Sequence, residues 1–520
     1  MGTKNFSNAN DLITFSRSSA GTALRKIAYG SELVTNGTFD TDVSGWTVNA
    51  NGSLSLSSNR LRITNVSGRG DAYTSFATEV GKVYSISLDV PDASNPPSAF
   101  WVLSGTAPNT GDNLSVFNEP AGSHEYSFVA ASTTTYLTIY VSNSSVASYT
   151  EFDNISVKEV LFDQGTLTLF NHPADIPRIE YDADGNVLGL LVEESRTNLL
   201  TYSEDFSVSG TTVEDAGEFQ GMSRKLFTKP GTAAVAYTPS FTASVGDYTL
   251  TLVMERGTNR YTSFGLFSGG WLGLARLDWD SMTIATSAGT LESSSVDVLG
   301  TGPSGNPVAR LTATINVPSA GTVEFYNYLL DSAPSDENLT VYFYHQQLEA
   351  GAFPTSYIPT AGATATRSAD VASIPVADFG YNQSDGTVVV DINTPLSTGE
   401  TNYAFALDDG TTTDMAYIYR DASDLLKAST NTSGALQGTL TLKTSALGNN
   451  KVAYALSTND SAAVCTGESV QTDATYNLPT VTDLVIGNRG AGSRELNGHI
   501  KSIRYYPRRL TDAQLQELTT

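Results

Sequence analysis

TTYLTIYVS, residues 134–142, sets apolar residues in alternation with polar or β-branched ones. A period of two sends successive side chains to opposite faces of an extended chain, so the stretch reads as a β-strand. The pattern recurs on both sides of it, in KVYSISLDV (82–90), DYTLTLVM (247–254), RLTATINV (310–317) and GTVVVDI (386–392). Gly, Pro, Asn or Asp bounds each run, as turns require. Helical periodicity is nearly absent, and the pattern predicts an all-β chain of tandem jelly-roll or β-sandwich domains. The exception is LTDAQLQELTT (510–520), where Thr511 and Gln514 form a capping box and Leu515 and Leu518 an apolar face. A short C-terminal helix is expected there.

At about 100–200 residues per domain, 520 residues predict three or four domains. YTEFDNISVKEV (149–160) and VYFYHQQLEAGAFPTSYIPT (341–360) each read as the closing strand of a sandwich. The expected division is an N-terminal arm over 1–30, a sandwich over 31–160, a connecting segment over 161–200, a second sandwich over 201–365 and a third over 366–520. Within the connector, DADGN (182–186) reads as a hairpin turn, after which LGLLVEE enters the next sandwich and SRTNLLTYSEDF forms its first strand and edge. Arg196 and Asn198 are expected to pair with carboxylates or backbone at the junction.

The chain carries 29 Lys and Arg against 54 Asp and Glu, a net charge of −25. Such a surface repels phosphate backbones and anionic lipid, which argues against nucleic-acid partners and membrane insertion. Cys465 stands alone, so no intrachain disulfide can form. The first residues lack a basic-then-apolar leader, and no apolar run approaches the ~18 residues of a membrane span. Synthesis in a cytoplasm is therefore expected, and the Asn-x-Ser/Thr triplets at Asn36, Asn65, Asn154 and Asn338 read as chance.

No catalytic residue, metal ligand or cofactor site is predicted. DADGNVLGLLVEE sets Asp182, Asp184, Asn186 and Glu193 at calcium-loop positions 1, 3, 5 and 12, but Gly185 falls at 4 where an EF-hand needs Gly at 6. His124, His172, His345 and His499 lie in no paired spacing. Glycoside hydrolysis needs two carboxylates about 5–10 Å apart. VEDAGEF (213–219) offers Glu214, Asp215 and Glu218 with nothing beside them to raise a pKa. Aromatic rings are the remaining signal, because sugar faces stack on exposed rings. FWVLSG (100–105) and GGWLGLARLDWD (269–280) make Trp101, Trp271 and Trp279 the candidate glycan contacts.

SELVTNGTFDTDVSGWTV (31–48), through Asn36, Gly37, Phe39, Gly45 and Trp46, resembles the opening of family 4/9-type carbohydrate-binding modules, which are β-jelly rolls, with EFDNISVKEV as the matching end. In that resemblance Trp46 is structural. FSRSSAGTALR (15–25), PRIEYDADGNVLGLLVEESRTNLLTYSEDF (177–206) and LEAGAFPTSYIPTAGATATRSADV (348–371) resemble segments of phage head-spike, head-fibre and tail-fibre proteins. LVIGNRG (484–490) with LNGHIKSIRYYPRRLTDAQLQEL (496–518) is similar to the ending of concanavalin A-like (laminin G-like) domains of the same proteins. Together they imply a non-enzymatic virion surface protein, a head fibre or spike in preference to a tail fibre. It would grip a capsid or tail protein through residues 1–30, assemble as a homotrimer and touch cell-surface glycans. A virion-borne polysaccharide depolymerase and a free bacterial adhesin are the competing readings.

Overall fold

A computed structural model describes residues 13–91, 100–204, 211–229, 235–331, 339–475, 477–490 and 494–520. The chain is nearly all strand, with the short helix Asp512–Leu518 near its end. It forms two compact units, Lys26–Thr166 and, from separate stretches, Met1–Arg25 with Leu167–Thr520. No helix among the described residues is long and apolar enough to cross a membrane.

Lys26–Thr166 is a sandwich of two antiparallel sheets. One orders Thr47–Val48, Asp71–Ala77, Thr134–Val141, Phe100–Gly105 and Leu114–Glu119 side by side. In the other, Tyr149–Phe162 pairs with Val83–Val90, which pairs with Gly122–Val129, and with Leu61–Asn65. Alternation does the sorting: Ile86, Leu88, Leu137, Ile139 and Phe152 meet between the sheets with almost no exposed surface. Burying each such side chain contributes about 1.5–3 kcal/mol. Trp46 joins this core and donates from Nε1 to the Asn36 carbonyl at 3.3 Å.

The larger unit holds two sandwiches. In the first, the six strands Thr212–Phe219, Met222–Lys229, Leu339–Ala350, Gly246–Arg256, Pro307–Val317 and Ser293–Thr301 form one sheet. It faces a sheet built on Gly321–Asp331, Tyr261–Phe267, Trp271–Asp278 and Thr283–Gly289. The second sandwich holds the C-terminal residues, but two of its strands come from far upstream. Thr14–Ser16, from the stretch read as an arm, pairs with Val371–Pro375. Val187–Val192, from the stretch read as a connector, pairs with Gly498–Tyr506, Leu190 opposite Ile500 and Val192 opposite Gly498. LGLLV therefore lies in the last sandwich and not, as expected from sequence, in the next one along the chain. DADGN is the turn of its hairpin, and Asp182 accepts backbone N–H bonds from Asp184 and Asn186 at 3.0 and 2.8 Å. Its carboxylate braces its own loop, and Asn186 Nδ2 also donates to it at 3.1 Å.

Residues 15–25, 177–206 and 348–371 converge on one buried ionic cluster. Asp370 accepts Arg17 Nη1 at 3.1 Å, Arg178 Nη2 and the Glu193 backbone N–H. Glu193 takes Arg178 at 2.9 Å and Ser356 Oγ at 2.7 Å, and Arg367 stands 3.5 Å away. Arg17 also donates to the carbonyls of Ser19, His172, Pro173 and Ile176, tying the N-terminal stretch to residues 172–176. Arg196 and Asn198 fill the expected roles: Arg196 pairs with Glu194 at 2.7 Å, and Asn198 Nδ2 donates to the Ile358 carbonyl at 2.9 Å.

The closing helix is capped as its sequence predicts. Gln514 N–H donates to Thr511 Oγ1 at 3.4 Å, and Thr511 N–H returns a bond to Gln514 Oε1 at 3.0 Å. Leu515, fully buried, seats the helix against Val389, Ala453 and Val464.

Candidate ligand-binding face

In the sheet of the smaller unit that carries Trp101, Ala72, Phe76, Leu137, Ile139, Phe100 and Val102 point into the core. Residues of the other phase line the outer face. Register sets Asp71 opposite Tyr140, Tyr140 opposite Trp101, and Trp101 opposite Phe117, a row across four strands. Phe117 meets the Trp101 ring edge to face at 5.0 Å, and Tyr140 lies 5.7 Å away on its other side. Phe117 is half exposed, and Trp101 and Tyr140 are half-buried. Further along the same face Tyr73 and Tyr136, two residues from Asp71 and four from Tyr140, pair at 6.3 Å.

Trp101 is not a bare platform. The Arg69 guanidinium lies over its ring, 3.7 Å from the centroid. Arg69 Nε donates to the Ser142 carbonyl at 3.1 Å, and Trp101 Nε1 donates to Asn118 Oδ1 at 3.2 Å. Buried Asn65 fixes this corner from below, accepting the Gly70 N–H at 2.7 Å and donating to the Asn143 and Ser145 carbonyls. That use of its amide leaves the Asn65 triplet no free nitrogen for a glycan, while Asn338 lies outside the described residues.

Asp71 closes the row and is only 1% exposed. Asn49 Nδ2 donates to its Oδ2, while Oδ1 has no hydrogen-bond partner among the described residues. Burial pushes the Asp71 carboxyl up to about 6. Burial, then the Asp71 charge, raises the Tyr140 phenol to about 12, and Arg69 acts the other way. Tyr140 thus sits between an anion and a cation.

A stability prediction follows. Asp71 has a folded-state pKa above its ordinary value of 3.8, so its contribution is present below about pH 4 and lost as pH rises through about 6. The loss amounts to about 3 kcal/mol by neutral pH. Asp71→Asn should remove it, making the smaller unit more stable than wild type at pH 8 and no more stable at pH 4. Calorimetric melting at both pH values checks this, and an equal shift at both would refute it.

The other tryptophan candidates divide. Trp271 lies half-buried on the outer face of the first sandwich of the larger unit, 5.4 Å from Phe267 and 5.1 Å from Tyr326. Trp279 is 2% exposed, packs with Phe264 and Leu277, and donates from Nε1 to Thr262 Oγ1 at 3.1 Å. Its expected glycan contact is corrected: a ring enclosed in the core offers no face to a sugar. One bulge explains the split. Leu266 opposes Gly273 but Phe267 opposes Trp271, so the skipped Leu272 turns Trp271 outward although it shares sequence phase with Trp279.

Glu214, Asp215 and Glu218 lie exposed on the edge strand Thr212–Phe219, where Lys225 pairs with Asp215 at 2.7 Å. The four histidines sit in four different places: His124 stacks on Tyr126, His172 packs on Phe170, His345 stacks on Tyr357 at 3.8 Å, and His499 meets Glu180 at 2.6 Å. Among the described residues no group of three or more His, Cys, Asp or Glu is placed to hold a metal.

Sequence reasoning found Trp101 but missed Arg69, Asp71, Tyr140 and Phe117. The alternation of TTYLTIYVS put Tyr140 on one face of its strand; only cross-strand register brings it to Trp101.

No protein-family model matches the chain, and no curated protein does. Among solved structures, the N-terminal CBM22-1-CBM22-2 tandem domain from Paenibacillus barcinonensis Xyn10C is similar at 10% identity and a TM-score of 0.20, covering 63% of this chain and 99% of its own. Trypanosoma rangeli sialidase is similar at 10% identity and a TM-score of 0.21, covering 96% and 94%. The same enzyme in complex with the inhibitor DANA gives 10% identity and 0.24, covering 95% and 94%. TM-scores this low carry no argument about what this chain binds or does.

Proposed function

We propose that the protein is a non-enzymatic structural protein of a phage virion, a surface fibre or spike that projects β-sandwiches for attachment to glycans. The observation that carries attachment is the row Phe117–Trp101–Tyr140, in which three rings and the Arg69 guanidinium share one sheet face. Rings supply apolar contact to the faces of a pyranose, and polar groups at the edge fix its orientation. The virion reading is supported by the segments around Arg17, Arg178, Glu193 and Arg367 that resemble phage head-spike and fibre proteins. In this reading the protein is made in the bacterial host cytoplasm and resides on the virion surface as a homotrimer. Three copies in register multiply weak contacts, since a second site engages at an effective concentration set by its tether.

A capsid head fibre is the favoured form of this reading, with a tail fibre as the alternative. Of the arm read over 1–30, residues 1–12 lie outside the described residues. Thr14–Ser16 and Gly21–Tyr29 are strands of the fold, so in this reading the capsid contact falls to the residues ahead of Thr14. In this reading Glu214, Asp215 and Glu218 are exposed surface carboxylates of an edge strand.

The test uses gold-labelled antibody against residues 366–520 on purified particles, with the protein screened in parallel on a glycan array. Label over the capsid with saccharide binding is the expected result. Label at the tail tip would make it a receptor-binding fibre. Unlabelled particles would refute the virion role, and release of reducing ends from bound polysaccharide would refute the non-enzymatic one.

A further inference from the structure

Resting on the glycan-binding reading of the Trp101 face, we propose that its ligand is an acidic saccharide, a sugar whose carboxylate docks on Arg69. On the ring face that Arg69 covers, a ligand approaching Trp101 meets the guanidinium before the indole, because Arg69 Cζ lies over the ring 3.7 Å from its centroid. Nε is committed to the Ser142 carbonyl, but the two terminal nitrogens have no hydrogen-bond partner among the described residues, and no carboxylate forms an ion pair with them. Arg62 in the same unit, by contrast, is held by Glu151 at 2.6 Å. A guanidinium stacked on an aromatic face keeps its charge, has lost its side-chain freedom in advance, and presents a planar fork that matches a carboxylate bidentately.

The far end of the row supports the same assignment. Asp71 is almost fully buried, and its Oδ1 lacks a partner. Tyr140 separates it from Trp101 and Arg69 in the cross-strand register. The face is therefore polarised, negative at Asp71 and positive at Arg69, with rings between. A neutral sugar gains nothing from that gradient. A hydroxylated ring bearing one carboxylate does: its anion lies over Arg69 and its apolar face on Phe117 and Tyr140, while buried Asp71 acts on it only through its charge. A ligand charged the other way round would set like charges together at both ends.

The full chain should be titrated by isothermal calorimetry with the uronate-containing oligosaccharides it binds on an array and with their carboxyl-reduced, neutral counterparts. At least a tenfold preference for the acidic form is expected. Arg69→Gln should bring that preference down to about one, Arg69→Lys should keep part of it, and both variants should melt within about 1 °C of wild type. Trp101→Ala should weaken acidic and neutral forms alike. Equal affinity of the wild type for both forms overturns the acidic assignment and leaves glycan binding standing, as does an undiminished preference in Arg69→Gln. Absence of binding to every acidic and neutral saccharide overturns the reading of the face itself, and this inference with it.

Discussion

Asp370→Asn should lower the melting temperature of the larger unit by about 5–10 °C and leave the transition of Lys26–Thr166 in place. Asp370 has no exposed surface and faces three guanidiniums, Arg17 at 3.1 Å, Arg178, and Arg367 at 3.8 Å. Removing its charge leaves Arg178 and Arg367 sharing Glu193, and Arg17 with backbone carbonyls as its acceptors. Breaking a buried ion pair from one side costs about 3–5 kcal/mol, because the partner charges stay desolvated without compensation. Asp297→Asn is the control: its pair with Arg310 is about half exposed on both sides, and such pairs contribute at most about 1 kcal/mol. Two calorimetric transitions resolved on one chain would read the result directly. A larger unit that melts unchanged would mean the cluster is tolerated and does not hold the junction.

The same cluster gives the larger unit an acid limit. Burial alone would raise Glu193, but Arg367 and Arg178 outweigh it and hold the carboxyl at about 2. A depressed carboxylate stabilises above its ordinary pKa of about 4.5, and the stabilisation fades as pH falls toward 2. Glu349, Asp408 and Glu495 shift upward through burial, so their contributions grow as pH falls from neutral. Buried His345, held at about 3, and His172, also lowered by burial, oppose these carboxylates, because their contributions are lost as pH falls below 6.5.

How much of this was legible in the sequence depends on the distance over which each signal acts. Alternation in TTYLTIYVS and its relatives is local, so the strands and the all-β class were readable. The Thr511–Gln514 box spans three residues, and the helix was readable too. LGLLV announces only a strand buried on both faces. Which sheet receives it depends on a partner near Ile500, some three hundred residues away, and nothing local encodes that pairing. Arg17 and Asp370 pose the same problem across 353 residues. At the candidate site, Trp101 stood out by its residue type. Arg69 and Asp71 looked like two of many charged surface residues, and only register and burial single them out. Trp279 misled for the opposite reason: its sequence phase matches that of Trp271, and the bulge that separates them has no sequence mark beyond Gly269 and Gly270.

Deleting residues 26–166 and joining Arg25 to Leu167 should leave the larger unit folded, with its melting temperature within about 2 °C, while acidic-saccharide binding at the Arg69 face disappears entirely. The reason lies in where the cores sit. The hydrophobic cluster of the smaller unit, from Val34 to Val157, is drawn wholly from within that stretch, and the two large clusters of the other unit contain none of it. The two chain ends that the deletion must join are already held near each other. Arg17 N–H donates to Asp175 Oδ1 at 3.0 Å, Asp175 N–H donates to the Arg17 carbonyl at 3.0 Å, and the Arg17 guanidinium reaches the His172 and Pro173 carbonyls. A short link replacing a long insertion lowers the entropy of the unfolded chain, which favours the folded state slightly. The matching fragment, residues 26–166, should fold alone and keep the saccharide affinity of the full chain, because Arg69, Asp71, Trp101, Phe117 and Tyr140 all lie within it. Circular dichroism, calorimetry and titration of both pieces give the answer. A deleted chain that melts without cooperativity would show that the larger unit needs the insertion to fold, and a folded fragment that fails to bind would place the ligand contact elsewhere on the protein.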